Sequence, residues 1–355
     1  MTTDDNRKLT PKPLLRDELA TTLRGLIEEQ RSDQLVRIEP ERDLAARLKV
    51  SRISLRAAIT TLVDEGLLLR KQGSGTYILP VPSPQMVDLI AAPDIKPQDP
   101  FYSEFFAEFS RYLAEHSMHL RLLHPDQLPT CSTPNPLIVV GRMDDRLIRT
   151  LRATHSRAIA TESYPDAVGI CQLCFDDYQI GVEAASVLVE RGHRRVVHLA
   201  GPPIYSSALK RRQGFVDRLK ALKFDAEVIE GKMNWESGYE LGKQAARLAS
   251  GRKAATAVFA ANDWMALGLM QRLREEGLQV PDRVSVIGCD DIQLAREVKP
   301  HLSTFKWDMA YLIRELFLLF TSMGEDRGAA HKKVLLPAQF VERDSLRVIS
   351  SQLIA

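Results

Sequence analysis

Six residues, Ser51-Arg52-Ile53-Ser54-Leu55-Arg56, carry the clearest chemistry in the chain. Arg52 and Arg56 stand four apart, so on a helix they point the same way. A guanidinium can fork onto the edge of a guanine in the major groove of duplex DNA. Ser51 and Ser54 bring hydroxyls that can bond backbone phosphates beside the positive end of such a helix. Charge agrees with a phosphate-facing surface. Between residues 42 and 78 seven cations oppose three anions, a net +4, against +2 for the whole chain of 355 residues. Arg42 lies one helix earlier, where it can clamp a phosphate, and the run Gln72-Gly73-Ser74-Gly75 is slim enough to approach a minor groove.

Other constellations point away from catalysis. Cys171 and Cys174 have a C-x-x-C spacing, but Ile170–Phe175 reads as a strand, where residues three apart face opposite ways. No second pair lies nearby, so they read as buried thiols, with no metal and no cofactor. Four cysteines suit a reducing compartment and make no disulfide framework. Gly73-Ser74-Gly75-Thr76 lacks the Lys-Ser/Thr ending of a phosphate loop. Asp290 and Asp291 are adjacent after a strand and diverge in direction. There is no G-x-S-x-G and no H-E-x-x-H, so the chain reads as a non-enzyme. His116, His119, His124 and His155 show no ligand spacing.

The elements that must position the cationic helix follow from periodicity. Residues 14–30 set Leu15, Leu19, Leu23, Leu26 and Ile27 on one stripe. A second helix starts near Pro40 and turns Leu44, Ala45 and Leu48 inward. Ser51 is a good N-cap for a third, running to about Glu65 with Leu55, Ala58, Ile59 and Leu62 inside. Gly66 stops it, and Leu67–Ile78 reads as strand, glycine turn, strand. Three helices and a hairpin make residues 1–78 a winged helix-turn-helix. Alternate prolines make 79–85 a stiff linker. Beyond it, short apolar strands (137–140, 195–200, 257–260, 284–288) alternate with helices, which predicts an α/β fold of doubly wound parallel sheets. Ligands in such folds sit beyond the carboxyl ends of strands. No apolar run reaches the roughly 18 residues of a membrane span, and the start is polar, so the expected compartment is the cytoplasm.

The ordered motifs Pro40-Glu41-Arg42-Asp43-Leu44-Ala45, Val50–Ala58, Glu65-Gly66-Leu67 and Gln72–Thr76 resemble the GntR-type winged helix across the whole domain. The resemblance implies DNA contacts at Arg42, Arg52, Ser54, Arg56 and the wing residues Gln72 and Gly73, to which the reading above adds Ser51. Two features depart from the family. Ile53 stands where a hydroxyl residue is usual, and Asp33-Gln34-Leu35-Val36 replaces a glycine-containing turn.

From residue 86 the chain resembles the LacI/GalR-type effector domain, whose fold is that of periplasmic binding proteins. The motifs are Arg191-Gly192-His193, Arg211-Arg212-Gln213-Gly214-Phe215, Ala261-Asn262-Asp263-Trp264, Pro281–Asp291, Pro300–Thr304 and Val341–Ser345. A GntR-type reader joined to this sensor is the arrangement of the arabinose repressor group. The resemblance implies effector contacts at Asp176, Arg211, Trp235, Asn262 and Asp290, with Phe101 or Tyr102 from the first lobe. Carboxylates accept from hydroxyls, Arg211 offers a planar fork of donors, and an aromatic ring covers the C–H face of a sugar. The expected effector domain is 86–345, with a first lobe of about 86–193 plus 308–330, a second of about 194–300 plus 331–345, and a tail of 346–355. His193 is expected to be structural, at the first crossing between lobes.

Between the strands at 118–123 and 137–140 lies a proline-rich segment where relatives have a crossover helix. A first lobe trimmed there puts first-lobe effector contacts in question. The expected function is a cytoplasmic DNA-binding regulator, a repressor, released or recruited by a small-molecule effector, a sugar. As a homodimer it would grip double-stranded operator DNA at half-sites about 10 bp apart or a multiple of that. The alternative keeps the reader and has a degenerate sensor that answers to a protein partner or to nothing.

Overall fold

The computed structural model describes residues 13–30, 35–71, 74–79, 85–96, 98–124, 135–155, 157–251, 254–323 and 332–349. The chain divides into two compact units, residues 1–85 and 86–355.

The first unit runs α1 (Pro13–Gln30), β1 (Val36–Arg37), α2 (Glu41–Arg47), α3 (Arg52–Asp64), β2 (Leu68–Lys71) and β3 (Gly75–Ile78). Its strands form an antiparallel sheet in the order β1-β3-β2. The expected stripes are the core: Leu19, Leu23 and Ile27 of α1 meet Leu44, Ala45, Leu55, Ile59 and Leu62. Fully burying each large side chain contributes roughly 1.5–3 kcal/mol, so this small core is held mainly by α1 against α3. Pro40 sits just outside α2 as its capping residue, with φ −55° and ψ 141°, rather than inside its first turn. The extended ψ keeps it out of the helix. Ser51 caps α3 as expected, its Oγ accepting from the Ser54 amide at 3.0 Å.

The second unit opens with β4 (Gln85–Ala91), α4 (Pro100–Glu115), β5 (Met118–Leu123), β6 (Leu137–Val140), α5 (Asp145–Thr154), β7 (Ala158–Ala160) and β8 (Cys171–Phe175). It continues through α6 (Asp177–Glu190), β9 (Val196–Ala200), α7 (Ser206–Ala221), β10 (Ala226–Glu230), α8 (Trp235–Leu248), β11 (Ala257–Ala260), α9 (Asp263–Glu275) and β12 (Ser285–Ile287). Last come α10 (Gln293–Glu297), β13 (Thr304–Lys306), α11 (Met309–Ser322), β14 (Lys333–Leu336) and β15 (Gln339–Val341). One sheet has the order β14-β8-β7-β6-β4-β5 and the other β10-β9-β11-β12; β13 and β15 pair separately. The pairings β14·β8, β7·β8, β6·β7 and β4·β6, like those of the second sheet, are parallel.

The lobe boundaries differ from expectation in three places. α6 packs on α7 with Ile180, Ala184 and Leu188 joined to Phe215 and Phe259, so the chain crosses at the end of β8, not at His193. The two helices touch backbone to backbone: a Cβ on Gly181 would come 2.1 Å from the Arg211 carbonyl oxygen, and one on Gly214 2.0 Å from that of Tyr178. Only glycine permits that approach. β14 pairs with β8 in the first sheet although 331–345 was expected in the second lobe. Finally, residues 346–349 are no free tail, because Leu346 is buried and the Ile349 amide donates to the Arg191 carbonyl at 2.8 Å. His193 is structural as expected, tied to Thr256 Oγ1 at 2.9 Å and the Arg347 carbonyl at 3.2 Å.

The proline-rich stretch 125–134 lies outside the described residues. On the sheet beside its ends, Asp88 is fully buried and takes both Nε and Nη2 of Arg121 at 2.7 and 2.8 Å, with His155 Nε2 at 3.6 Å. Cys171 and Cys174 are both buried on β8.

Candidate nucleic-acid interface and ligand cavity

In the first unit α3 presents Arg52 and Arg56 to solvent. Arg56 does not stand alone. Its Nε and Nη2 lie 3.2 and 3.1 Å from Glu41 Oε2, and Glu41 Oε1 holds Arg70 Nη2 at 3.2 Å. The first residue of α2 thus braces the α3 arginine against an arginine of the hairpin, a contact that the periodicity argument did not foresee. The Arg56 side chain remains 69% exposed, and an ion pair at that exposure is worth about 1 kcal/mol or less. A phosphate or base edge can therefore compete for it. Arg42 is exposed and pairs with neighbouring Asp43 at 3.1 Å. The Ser51 and Ser54 hydroxyls lie 2.9 Å apart. Gln72 and Gly73 lie outside the described residues; on their flank Lys71 Nζ sits 5.3 Å above the Tyr77 ring.

In the second unit a cavity of about 420 Å³ lies between the carboxyl ends of strands of the two sheets. That volume falls within the roughly 300–1,000 Å³ of small-molecule sites. Phe101, Tyr102, Arg211, Asn262 and Asp290 line it. Asp99 caps α4 through the Phe101 amide at 3.1 Å, which fixes the two aromatics at the helix start. Arg211, held by the glycine-mediated α6–α7 contact, donates Nε to Asp177 at 2.8 Å and Nη1 to the Ala261 carbonyl at 2.5 Å. Its Nη1 is 3.9 Å from Asp290 Oδ1, which also accepts from Trp307 Nε1 at 3.0 Å. Trp307 in turn tilts against Phe175 with ring centroids 3.8 Å apart. Asp290 adopts φ 131°, a region L residues rarely occupy. Backbone strain of this kind gathers at ligand sites. Asp291 turns the other way, to Arg343 and Arg296 at 2.5 and 2.8 Å, so the adjacent pair diverges as its spacing implied.

Two expected contacts are not at the cavity. Asp176 is spent as the cap of α6, its Oδ1 accepting from the Gln179 amide at 3.1 Å; the next residue, Asp177, is buried and faces the cavity instead. Neighbours at a strand end point apart, so a one-residue slip changes the answer. Trp235 stacks on Tyr239 at 5.2 Å and packs on the core of the second lobe, leaving Trp264 and Trp307 as the cavity's indoles. Asn262 is there but largely occupied, capping α9 through the Met265 amide at 3.0 Å and donating to the Met233 carbonyl at 3.1 Å.

Sequence reading missed Glu162. It lines the cavity just beyond β7, accepts from the Ser163 amide at 2.9 Å and the Ser207 hydroxyl at 3.5 Å, and burial lifts its carboxyl above the usual range. The strand-end rule would have found it had β7, only three residues long, been read as a strand. The lobes also meet where Tyr205 donates to Asp94 and Lys210 Nζ to Ser163 Oγ at 3.0 Å. Among the described residues no helix is long and apolar enough to cross a membrane.

Comparison with known proteins agrees with this fold. Residues 15–78 match the family described as bacterial regulatory proteins, gntR family, and residues 185–346 match the periplasmic binding protein-like domain. The chain is 30% identical over 173 residues to the HTH-type transcriptional repressor PurR of Vibrio atlanticus (strain LGP32), covering 48% of this chain and 51% of that protein. It thus spans about half the length of that relative. Against the HTH-type transcriptional repressor CytR of Escherichia coli (strain K12) it is 28% identical over 279 residues, 74% of this chain and 79% of that one. A LacI family transcriptional regulator from Enterococcus faecium, solved with bound ribose, superposes with a TM-score of 0.62 at 21% identity, covering 74% of this chain and all of the other. At that identity the likeness concerns the fold alone. The chain therefore carries one region similar to the bacterial gntR regulatory proteins and another similar to the periplasmic binding protein-like domain, and the relatives it matches are HTH-type transcriptional repressors.

Proposed function

We propose that this chain is a transcriptional repressor whose grip on operator DNA is set by a small polyhydroxy ligand in the cavity of its second unit. The observation that carries the reading is the interlocked set Asp177, Arg211, Asp290 and Trp307 in a chain that also exposes Arg52 and Arg56 on α3. Carboxylates that accept, a guanidinium fork that donates and indoles that stack are the inventory a sugar needs. The intact cavity supports a liganded sensor over a degenerate one.

A homodimer would bring two readers to an approximately palindromic operator in the cytoplasm, with residues 79–85 as the linker. Ligand closing the lobes would strengthen contacts such as Tyr205 to Asp94 and Ser207 to Glu162. To swing occupancy from 1:99 to 99:1 the ligand must favour one state by about 5.5 kcal/mol.

The test is a tryptophan-fluorescence titration of the full chain with neutral pentoses and hexoses, alone and with promoter duplexes from its own genome. At least one sugar should change both the emission and the affinity for a duplex. Salt-insensitive affinity for every duplex would remove the DNA reading, and silence toward every sugar would remove the ligand reading.

A further inference from the structure

Ile53 is 84% exposed, more than any other large apolar side chain among the described residues. It sits in the first turn of α3, two residues past the Ser51 cap. The buried stripe of that helix is Leu55, Ala58, Ile59 and Leu62. Nine residues separate Ile53 from Leu62, so at about 100° per residue the two point in opposite directions. Ile53 therefore stands at the outermost point of the helix start, beside the exposed side chains of Arg52 and Arg56 and about 60° around the helix from the nearer of them, Arg56. Nothing in its own domain core needs it there.

We infer that Ile53 reads the C5 methyl group of a thymine in the operator. The inference rests on the proposed DNA-binding function and adds a base to it. In helix-turn-helix readers the N-terminal residues of the recognition helix meet the base edges of the major groove. The thymine methyl is the apolar feature that the groove presents there. A β-branched side chain on a helix is nearly fixed in χ1, so Ile53 offers a stiff apolar tip with little rotamer freedom to lose. Arg52 and Arg56, together on one side of it, reach for phosphates and purine edges, and Ile53 meets the methyl next to them.

The test uses duplexes that the full chain itself selects from a random library. Each thymine is replaced in turn by deoxyuridine, which removes the methyl and nothing else, and affinity is measured at one salt concentration. In the wild type, one position per half-site should lose about fourfold in affinity, the worth of burying one methyl group. The Ile53→Ala variant should bind the parent duplex about as weakly as the wild type binds the demethylated one, and should be indifferent to uridine at that position. The inference is overturned if no thymine shows a methyl effect that depends on residue 53. Failure to retain any duplex would sink the DNA-binding reading itself, a result distinguishable from binding that ignores the methyls.

Discussion

Arg211 Nε donates to Asp177 Oδ1 at 2.8 Å, with only 5% and 8% of the two side chains exposed. The pair joins α7 to the start of α6 and forms part of the cavity lining. Removing one partner leaves an uncompensated buried charge, which costs about 3–5 kcal/mol. Arg211→Met should lower the unfolding free energy by that order in urea titrations followed by tryptophan emission, since Trp235, Trp264 and Trp307 all lie in the second unit. Combining it with Asp177→Leu should restore most of the loss. A single variant as stable as the wild type would show that the pair does not hold the helices.

That pair also shows where sequence reading stopped. Periodicity placed α1, α3 and the hairpin to within a residue or two, because each buries one stripe, and α3 is bounded by the Ser51 cap and Gly66. Strand–helix alternation likewise predicted parallel sheets, and the resemblance to the effector domain their division into two lobes. The cavity was legible where a motif fixes the register, as at Arg211, Asn262 and Asp290. It was illegible where direction decides: Asp176 and Asp177 are chemically equal on paper, and only the end of β8 selects the second. Trp235 lies off the cavity lining for a related reason, since the first turn of α8 stacks it on Tyr239 four residues on. Glu41, the brace of Arg56 and Arg70, depends on packing between three elements that no spacing along the chain encodes.

His198 is fully buried, donates Nδ1–H to the Phe259 carbonyl at 2.9 Å and stacks on the Phe259 ring. Burial pushes its imidazole down from 6.5 to about 4. A histidine whose folded value is depressed is protonated first in the unfolded chain. Its contribution is present above about pH 6.5 and is lost as pH falls toward 4. Between pH 7.5 and 5 the wild type should lose about 2 kcal/mol more stability than His198→Gln, which keeps a donor and takes up no proton. Equal losses in the two proteins would refute the assignment.

Arg56 and Arg42 should fail differently on DNA. A guanidinium that forks onto a base is worth about 1–3 kcal/mol of discrimination. Arg56→Ala should therefore cost affinity of that order and relax the preference at one base pair. Arg42→Ala should weaken all duplexes alike and reduce the slope of log affinity against log salt by about one. Binding isotherms at four salt concentrations on selected and scrambled duplexes separate the two. A base preference untouched by Arg56→Ala would place that arginine on the backbone.

The charge balance of the cavity makes a prediction about ligand class. Its acids include Asp94, Glu162, Asp177, Glu236 and Asp290, and its bases Lys96, Arg142, Arg211 and Lys232. Arg211 is already committed to Asp177, and Arg142 Nη2 to Asp145 at 2.7 Å. Glu162 and Asp290 are half-buried and line the cavity wall. An anionic ligand would add repulsion against acids that outnumber the bases, whereas a neutral polyol donates hydroxyls to both Glu162 and Asp290. A sugar that binds should lose at least tenfold in affinity, about 1.4 kcal/mol, as its phosphate ester. Glu162→Gln should narrow that gap by removing one repelling charge. Trp307, which donates to Asp290, reports both measurements through its emission. A phosphate ester that binds more tightly than its parent sugar would reverse the assignment of these carboxylates as acceptors of ligand hydroxyls.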